Sequence, residues 1–325
     1  MNRESNHSEN TRMNKIDEIT EKLEAGIKDM FQGDNFKEYL KSMSKFHRYS
    51  LNNVILITSQ MKDATHVASF TKWKELDRSV KKGEHGLQIF SPIIRNKLDP
   101  ETKEIIINEK SGKPEKVITG YKPAYVFDIS QTEGKELPEI VKVLTGKVED
   151  FEKLKEALTK VSEVPISFEH INGRANGYYS LTEEKIVVDE SLPEAQKIKT
   201  MVHEISHSML HSNADDEKER TTKEVEAESV AYTVCNYLGL DTSDYSFGYI
   251  GGWSKDMELS ELKESLSTIK DTSSRIIKKL EEYTVSYEQP SKEQVLEHTV
   301  QRAYETKSFE REAKVSETYD YELEH

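Results

Sequence analysis

The sequence predicts an α+β protein of two domains, and three observations lead there. Over most of its 325 residues, apolar side chains recur at three- and four-residue steps, the period of amphipathic helices. In several short runs bounded by Gly, Pro or polar clusters, the pattern becomes that of strands. Charge is also segregated. The chain has a formal net charge of -14, yet the stretch from Asn35 to Lys97 holds twelve Lys and Arg against five Asp and Glu. That stretch is therefore +7 and the remainder -21.

The elements follow in order. Residues 1–12 are polar and are expected to be disordered. Ile16, Ile19, Leu23 and Ile27, then Phe36, Leu40, Met43 and Phe46, predict helices between Lys15 and Phe46. Ser50 suits the N-cap of a helix from Leu51 to Met61. Thr71 suits the cap of a short helix reaching Leu76. Gly83 and Gly86 punctuate a basic turn before a strand at Leu87–Phe90. The polar stretch 96–118 reads as a hairpin with a loose tip or an exposed loop, and Tyr121 to Ile129 returns to strand. The first domain is placed at 13–135 and a linker at 136–147. The second domain, 148–287, opens with a helix from about Val148 to Val161. A strand at Val164–Glu169 and a hairpin of Gly177–Leu181 with Lys185–Asp189 follow. Two helices come next, from Pro193 and from Lys223 to Leu238. An aromatic, glycine-rich loop (245–253) precedes a long helix whose stripe of Leu259, Leu262, Leu266, Ile269, Ile276 and Leu280 is interrupted by Ser273. Residues 288–325 are polar and are expected to form a flexible tail.

The chemistry concentrates in His203-Glu204-Ile205-Ser206-His207. In this H-E-x-x-H pattern a helix places both imidazoles on one face, one turn apart, where they can hold one Zn²⁺ while Glu204 reaches a water at the ion as general base. Ile198, Met201, Val202, Ile205 and Met209 give that helix an apolar face. A third ligand is required. One class of these enzymes takes it from a His six residues after the second histidine; here that position is Asn213, which excludes the class. His211 is expected to pack or meet solvent. The next helix offers Glu224, Glu226 and Glu228. At roughly 100° per residue, Glu224 lies about 50° from the centre of the stripe Ala227, Val230, Ala231, Val234 and Leu238. Glu228 lies about 90° away and Glu226 beyond about 100°. Glu224 is therefore the expected ligand. Glu228 is expected to accept a hydrogen bond from a ligating histidine and is the alternative ligand. Glu226 is expected to face solvent. Tyr178, Tyr179 and Tyr249 are candidate oxyanion donors.

Elsewhere the sequence excludes more than it assigns. No apolar run is long enough to span a bilayer, and the N-terminus lacks the apolar core of a secretory signal. A lone cysteine, Cys235, permits no internal disulfide, so a cytoplasmic location is expected. Cys235 reads as a buried small hydrophobe. The basic stretch, with Phe46, Tyr49, Phe70 and Trp73 among its charges, suits a polyanion, and single-stranded nucleic acid in particular.

Several segments resemble the ArdC antirestriction family. They are Tyr49-Ser50-Leu51-Asn52-Asn53-Val54, Asp63 through Phe70, Trp73, Val80 through Gly86, and Val126-Phe127-Asp128-Ile129-Ser130-Gln131-Thr132-Glu133-Gly134. The H-E-x-x-H helix and Glu224-Val225-Glu226-Ala227-Glu228 resemble the zinc metallopeptidase domain of that family, which is related to ImmA/IrrE and more distantly to SprT-like peptidases. The likeness covers about residues 13–285 and is greatest to LtrC-like members from conjugative elements. It implies an α+β single-stranded-DNA-binding domain followed by a zincin-like, gluzincin-type metallopeptidase domain that acts on a protein or peptide. It also implies protection of incoming DNA from restriction during transfer. Arg48, Tyr49, Asn52, Asn53, Lys72, Trp73, Lys81 and Lys82, in or beside these segments, are the DNA-binding candidates. Two other readings remain open: a DNA-binding protein whose zinc is structural, and a regulatory peptidase of the ImmA kind.

Overall fold

The computed structural model describes residues 2–31, 35–109, 111–137, 151–212, 218–245, 247–248, 250–255 and 257–287. It is a mixed α+β chain. Three helices come first: α1 (Asn2–Met30), α2 (Asn35–Lys45) and α3 (Leu51–Gln60). α1 buries Ile19, Leu23, Ile27 and Met30. It begins at Asn2, whereas residues 1–12 were expected to be disordered. That stretch holds neither Pro nor Gly, so nothing in it stops a helix whose apolar stripe begins at Ile16. Ser50 caps α3 as expected, its hydroxyl accepting the Asn53 N–H.

Next come β1 (Val67–Ser69), α4 (Phe70–Glu75), β2 (Arg78–Val80), β3 (Leu87–Asn96), β4 (Lys116–Asp128) and β5 (Thr132–Gly134). β4 lies between β1 and β3, and β2 pairs antiparallel with β5. The cap of α4 is Ser69, not Thr71: Ser69 ends its pairing with Val126 and its hydroxyl accepts the Lys72 N–H, so the helix starts at Phe70. The stretch between β3 and β4 is a hairpin tip braced by the bridges Leu98–Ile105 and Ile107–Pro114. Asp128 ties this region together. Its buried carboxylate accepts N–H groups from Thr65 at 2.7 Å, His66 at 3.0 Å and Ser130 at 3.0 Å.

The second half runs α5 (Phe151–Val161), β6 (Ile166–Glu169), β7 (Gly177–Ser180), β8 (Lys185–Asp189), α6 (Glu194–Leu210), α7 (Arg220–Tyr237), α8 (Ile250–Ser254) and α9 (Leu259–Tyr287). β8 is the central strand, parallel to β6 and antiparallel to β7. Ile186, Val187 and Val188 are buried on it, and α6 lies across β7 and β8. α7 is covered on several sides, by α6, α9 and α2. Cys235 is buried within it. Ser273 does not break the α9 stripe: it is buried, with its hydroxyl donated to the Ile269 carbonyl at 2.7 Å.

Backbone contacts divide the chain into a larger unit, residues 17–89 with 125–287, and a smaller one that includes 90–124. This cut does not follow the boundaries expected at 13–135 and 148–287. The larger unit joins α2 to the helices of the second half. Lys37 Nζ donates to the Tyr245 carbonyl at 2.9 Å, and Ser44 Oγ to Asn236 Oδ1 at 2.8 Å. Phe36 sits edge-on to Phe247, with centroids 5.3 Å apart. Periodicity reveals that α2 has an apolar face but not which distant helix covers it. Of the linker at 136–147 only Glu136 and Leu137 are described, and the tail 288–325 lies outside the described residues. Among the described residues no helix is long and apolar enough to cross a membrane.

Candidate functional site

α6 and α7 build the site between them. The Nε2 atoms of His203 and His207 are 3.1 Å apart. Glu224 Oε2, from α7, lies 3.7 Å from His203 Nε2 and 3.6 Å from His207 Nε2. Among the described residues these three form the one group of His, Cys, Asp or Glu able to hold a metal ion, with ligand atoms all within 4.8 Å of one another. Ligands about 2.0–2.1 Å from a tetrahedral ion stand about 3.4 Å apart, so the three side chains fit a small divalent cation. Glu224 is half exposed, which leaves that side of the group open to solvent.

Glu228, one turn further along α7, takes the other side of the His203 ring: its Oε2 lies 3.3 Å from Nδ1. With Nδ1–H donated there, the Nε2 lone pair is turned toward His207 and Glu224, the tautomer a metal requires. Burial opposes charge on His203, but the carboxylates of Glu228, Glu204 and Glu224 outweigh it and raise its pKa. The neighbouring His207 imidazole holds the Glu224 carboxyl below the usual carboxylate range.

Glu204 is buried beneath this group. Burial pushes its carboxyl above the usual range, while the imidazoles of His203 and His207 pull it down and Glu224 pushes it up. The Tyr179 main-chain N–H also favours its charged form. This contact depends on a close approach of β7 to α6 at Gly177. A Cβ there would lie 2.6 Å from Thr200 Cγ2 and 2.8 Å from the Val187 carbonyl oxygen. Sequence reading missed Gly177. Its place at the start of a strand facing the H-E-x-x-H helix was the available signal. Tyr178 is exposed, and Tyr249 lies outside the described residues.

The third glutamate corrects an expectation. Glu226 does not face solvent but is fully buried, 0% exposed. The angular reading assumed one buried stripe on α7, whereas this helix is covered by α2, α6 and α9 together. Glu226 accepts the Ser265 hydroxyl at 2.7 Å and Lys218 Nζ at 2.9 and 3.1 Å, and its Oε2 lies 3.7 Å from His211 Nε2. His211 is itself buried, its ring 5.6 Å from that of His207.

The DNA-binding candidates divide between surface and core. Arg48 is exposed and pairs with Glu281 at 3.2 Å; Asn52, Lys81 and Lys82 are exposed. Lys81 Nζ donates to the Ser130 carbonyl at 2.8 Å. Lys72 is half-buried beside Glu75, and Tyr49 donates its hydroxyl to the Val67 carbonyl at 3.1 Å. Asn53 and Trp73 are core residues, 8% and 1% exposed, and the Trp73 indole N–H donates to the Phe127 carbonyl at 2.8 Å. Neither presents a surface for a base, because aromatic and amide side chains next to a cap and a strand here complete the packing. Among the described residues before Lys135, the exposed rings are instead Phe70 and Tyr125 in the larger unit and Tyr121 in the smaller. The two-residue period of β4 places Tyr121 and Tyr125 on one face, a signal the sequence reading did not use.

Two histidines and a glutamate on adjacent helices, with the buried Glu204 beside them, form a group that could hold a metal ion. Residues 122–231 match the "Putative metallopeptidase family (DUF6782)". Residues 9–127 match the N-terminal domain of anti-restriction factor ArdC. The chain is thus similar to ArdC over its N-terminal part and to a putative metallopeptidase family over the part that follows. An uncharacterised protein of Bacillus anthracis is 30% identical over 295 residues, covering 80% of this chain and 50% of that protein, so the chain spans about half the length of this curated relative. The crystal structure of the antirestriction ArdC protein from the R388 plasmid in its metal-free form is 22% identical, with a TM-score of 0.44, covering 73% of this chain and 84% of that one. Its Mn(II)-bound form is also 22% identical, with a TM-score of 0.41, covering 72% and 84%.

Proposed function

We propose that the chain is a zinc-dependent peptidase joined to a single-stranded-DNA-binding module, and that it protects incoming DNA from restriction during conjugative transfer. The functional segments are residues 148–287 and 13–135. The observation that carries the peptidase reading is the convergence of His203, His207 and Glu224 above the buried Glu204. A Zn²⁺ bound there supplies Lewis acidity that polarises a peptide carbonyl and makes a water more acidic. Glu204 takes the proton of the attacking water and delivers it to the leaving amine, a role suited to a carboxyl raised above its ordinary range. β7, at the edge of its sheet, is the strand against which an extended peptide pairs. The DNA reading rests on the ArdC-type domain and on the +7 stretch with Arg48, Asn52, Lys81 and Lys82 at its surface. A lone, buried Cys235 suits a reducing cytoplasm.

Metal analysis of wild type, His203→Ala and Glu224→Ala tests the ligand set. One zinc per wild-type chain and loss in both variants are expected; full occupancy in Glu224→Ala overturns the assignment of Glu224. Glu204→Gln then separates catalysis from occupancy of DNA. It is expected to keep its zinc and its affinity for oligo-dT while losing protection in a transfer assay. Retained protection would favour a DNA-binding protein with a structural zinc.

A further inference from the structure

A third histidine, His211, caps the C-terminal end of α6 one turn beyond His207, and α7 carries a third glutamate between Glu224 and Glu228. Neither His211 nor Glu226 has a task in the chemistry above, yet Glu226 is among the most deeply buried ionisable groups described. A carboxylate removed from water is expensive unless it is paired and hydrogen-bonded. Here each partner comes from a different place. Ser265 belongs to α9, Lys218 to the approach into α7, and His211 to the end of α6. A merely structural filler at this position would more simply be apolar, because buried ion pairs contribute little net stability compared with hydrophobic residues of similar volume.

Its place in the helix gives the charge a purpose. Glu226 lies two residues from Glu224 and two from Glu228, within one rigid stretch of α7. Any rotation or slide of α7 at Glu226 moves both carboxylates together relative to His203 and His207. The ligand distances of 3.6 and 3.7 Å and the 3.3 Å contact to His203 Nδ1 therefore depend on where α7 is held. The second link is direct: Glu226 faces His211, whose ring lies against that of His207.

We propose that Glu226, held by Ser265 and Lys218, is a positioning residue of the metal centre. It clamps α7 to α9 and to the end of α6, and so brings Glu224 and Glu228 to the two histidines. This inference rests on the metal-binding reading above. The test is titration of the full chain with Co²⁺, reading affinity and the visible d–d absorption, alongside circular dichroism and thermal unfolding of the metal-free protein. Glu226→Gln is expected to remain folded, to bind Co²⁺ about 10–100-fold more weakly, and to show an altered d–d band. Ser265→Ala removes one hydroxyl and is expected to change both readings in the same direction by a smaller factor. A folded Glu226→Gln with wild-type affinity and spectrum overturns the proposal. Should Glu226→Gln not fold, an unchanged affinity and spectrum in Ser265→Ala overturns it. Failure of the wild type to bind Co²⁺ overturns the metal reading and this inference together, whereas wild-type binding with unaltered variants overturns this inference alone.

Discussion

Two residues outside the ligand set show how single side chains carry this structure. Gly177 is required because β7 and α6 approach too closely for a Cβ. Gly177→Ala is expected to destabilise the chain by ~1–3 kcal/mol, the usual cost of overpacking, as read by urea unfolding. It should also separate the Tyr179 N–H from Glu204. Asp128 is the second. Burial raises its pKa, but the N–H groups of Ser130, Thr65 and His66 outweigh that and the net direction is down. A carboxylate with a depressed folded-state pKa stabilises fully above its unfolded value, about 4, and loses that contribution as pH falls through the folded value. Asp128→Ala should therefore lose ~1–3 kcal/mol at neutral pH. The gap from wild type should narrow below about pH 4. A gap that stays constant down to pH 3 would sink this account.

At the scale of elements, helix starts were legible by type but not always by position. Ser50 was identifiable because a hydroxyl residue directly precedes an apolar run. α4 offered two hydroxyls, Ser69 and Thr71, and only the pairing of β1 with β4 decides between them. Ser69→Ala is expected to cost about 1 kcal/mol and Thr71→Ala a few tenths, measured by chemical denaturation of each variant. Equal effects would contradict the assigned cap. α7 is the element whose sequence misleads most. Its apolar stripe implies one buried face, but three helices cover it, and a polar residue such as Glu226 becomes core because it meets Ser265 and Lys218 there.

For the molecule as a whole, the packing of α2 on α7 is the consequential fact. A segment matching an antirestriction domain helps to cover the helix that bears Glu224 and Glu228. Residues 148–287 expressed alone would expose the α7 surface that meets Lys37 and Ser44 of the intact chain. That fragment is expected to lack a cooperative thermal transition, or to unfold at least about 10 °C below the full chain, consistent with the loss of several kcal/mol of apolar burial. An unchanged melting temperature for the fragment would contradict the single larger unit.

By itself the sequence determined the α+β class, most element positions and the H-E-x-x-H helix, because periodicity, caps and ligand spacing are local properties that a chain displays residue by residue. From helix angles it also singled out Glu224 as the expected third ligand and Glu228 as the partner of a histidine, and the structure places both carboxylates at the histidines. The tertiary structure alone decided that Trp73 and Asn53 turn inward, that Glu226 is buried and that α2 belongs with α7. Each of these depends on what distant segments cover a given face, and no spacing within a segment encodes that.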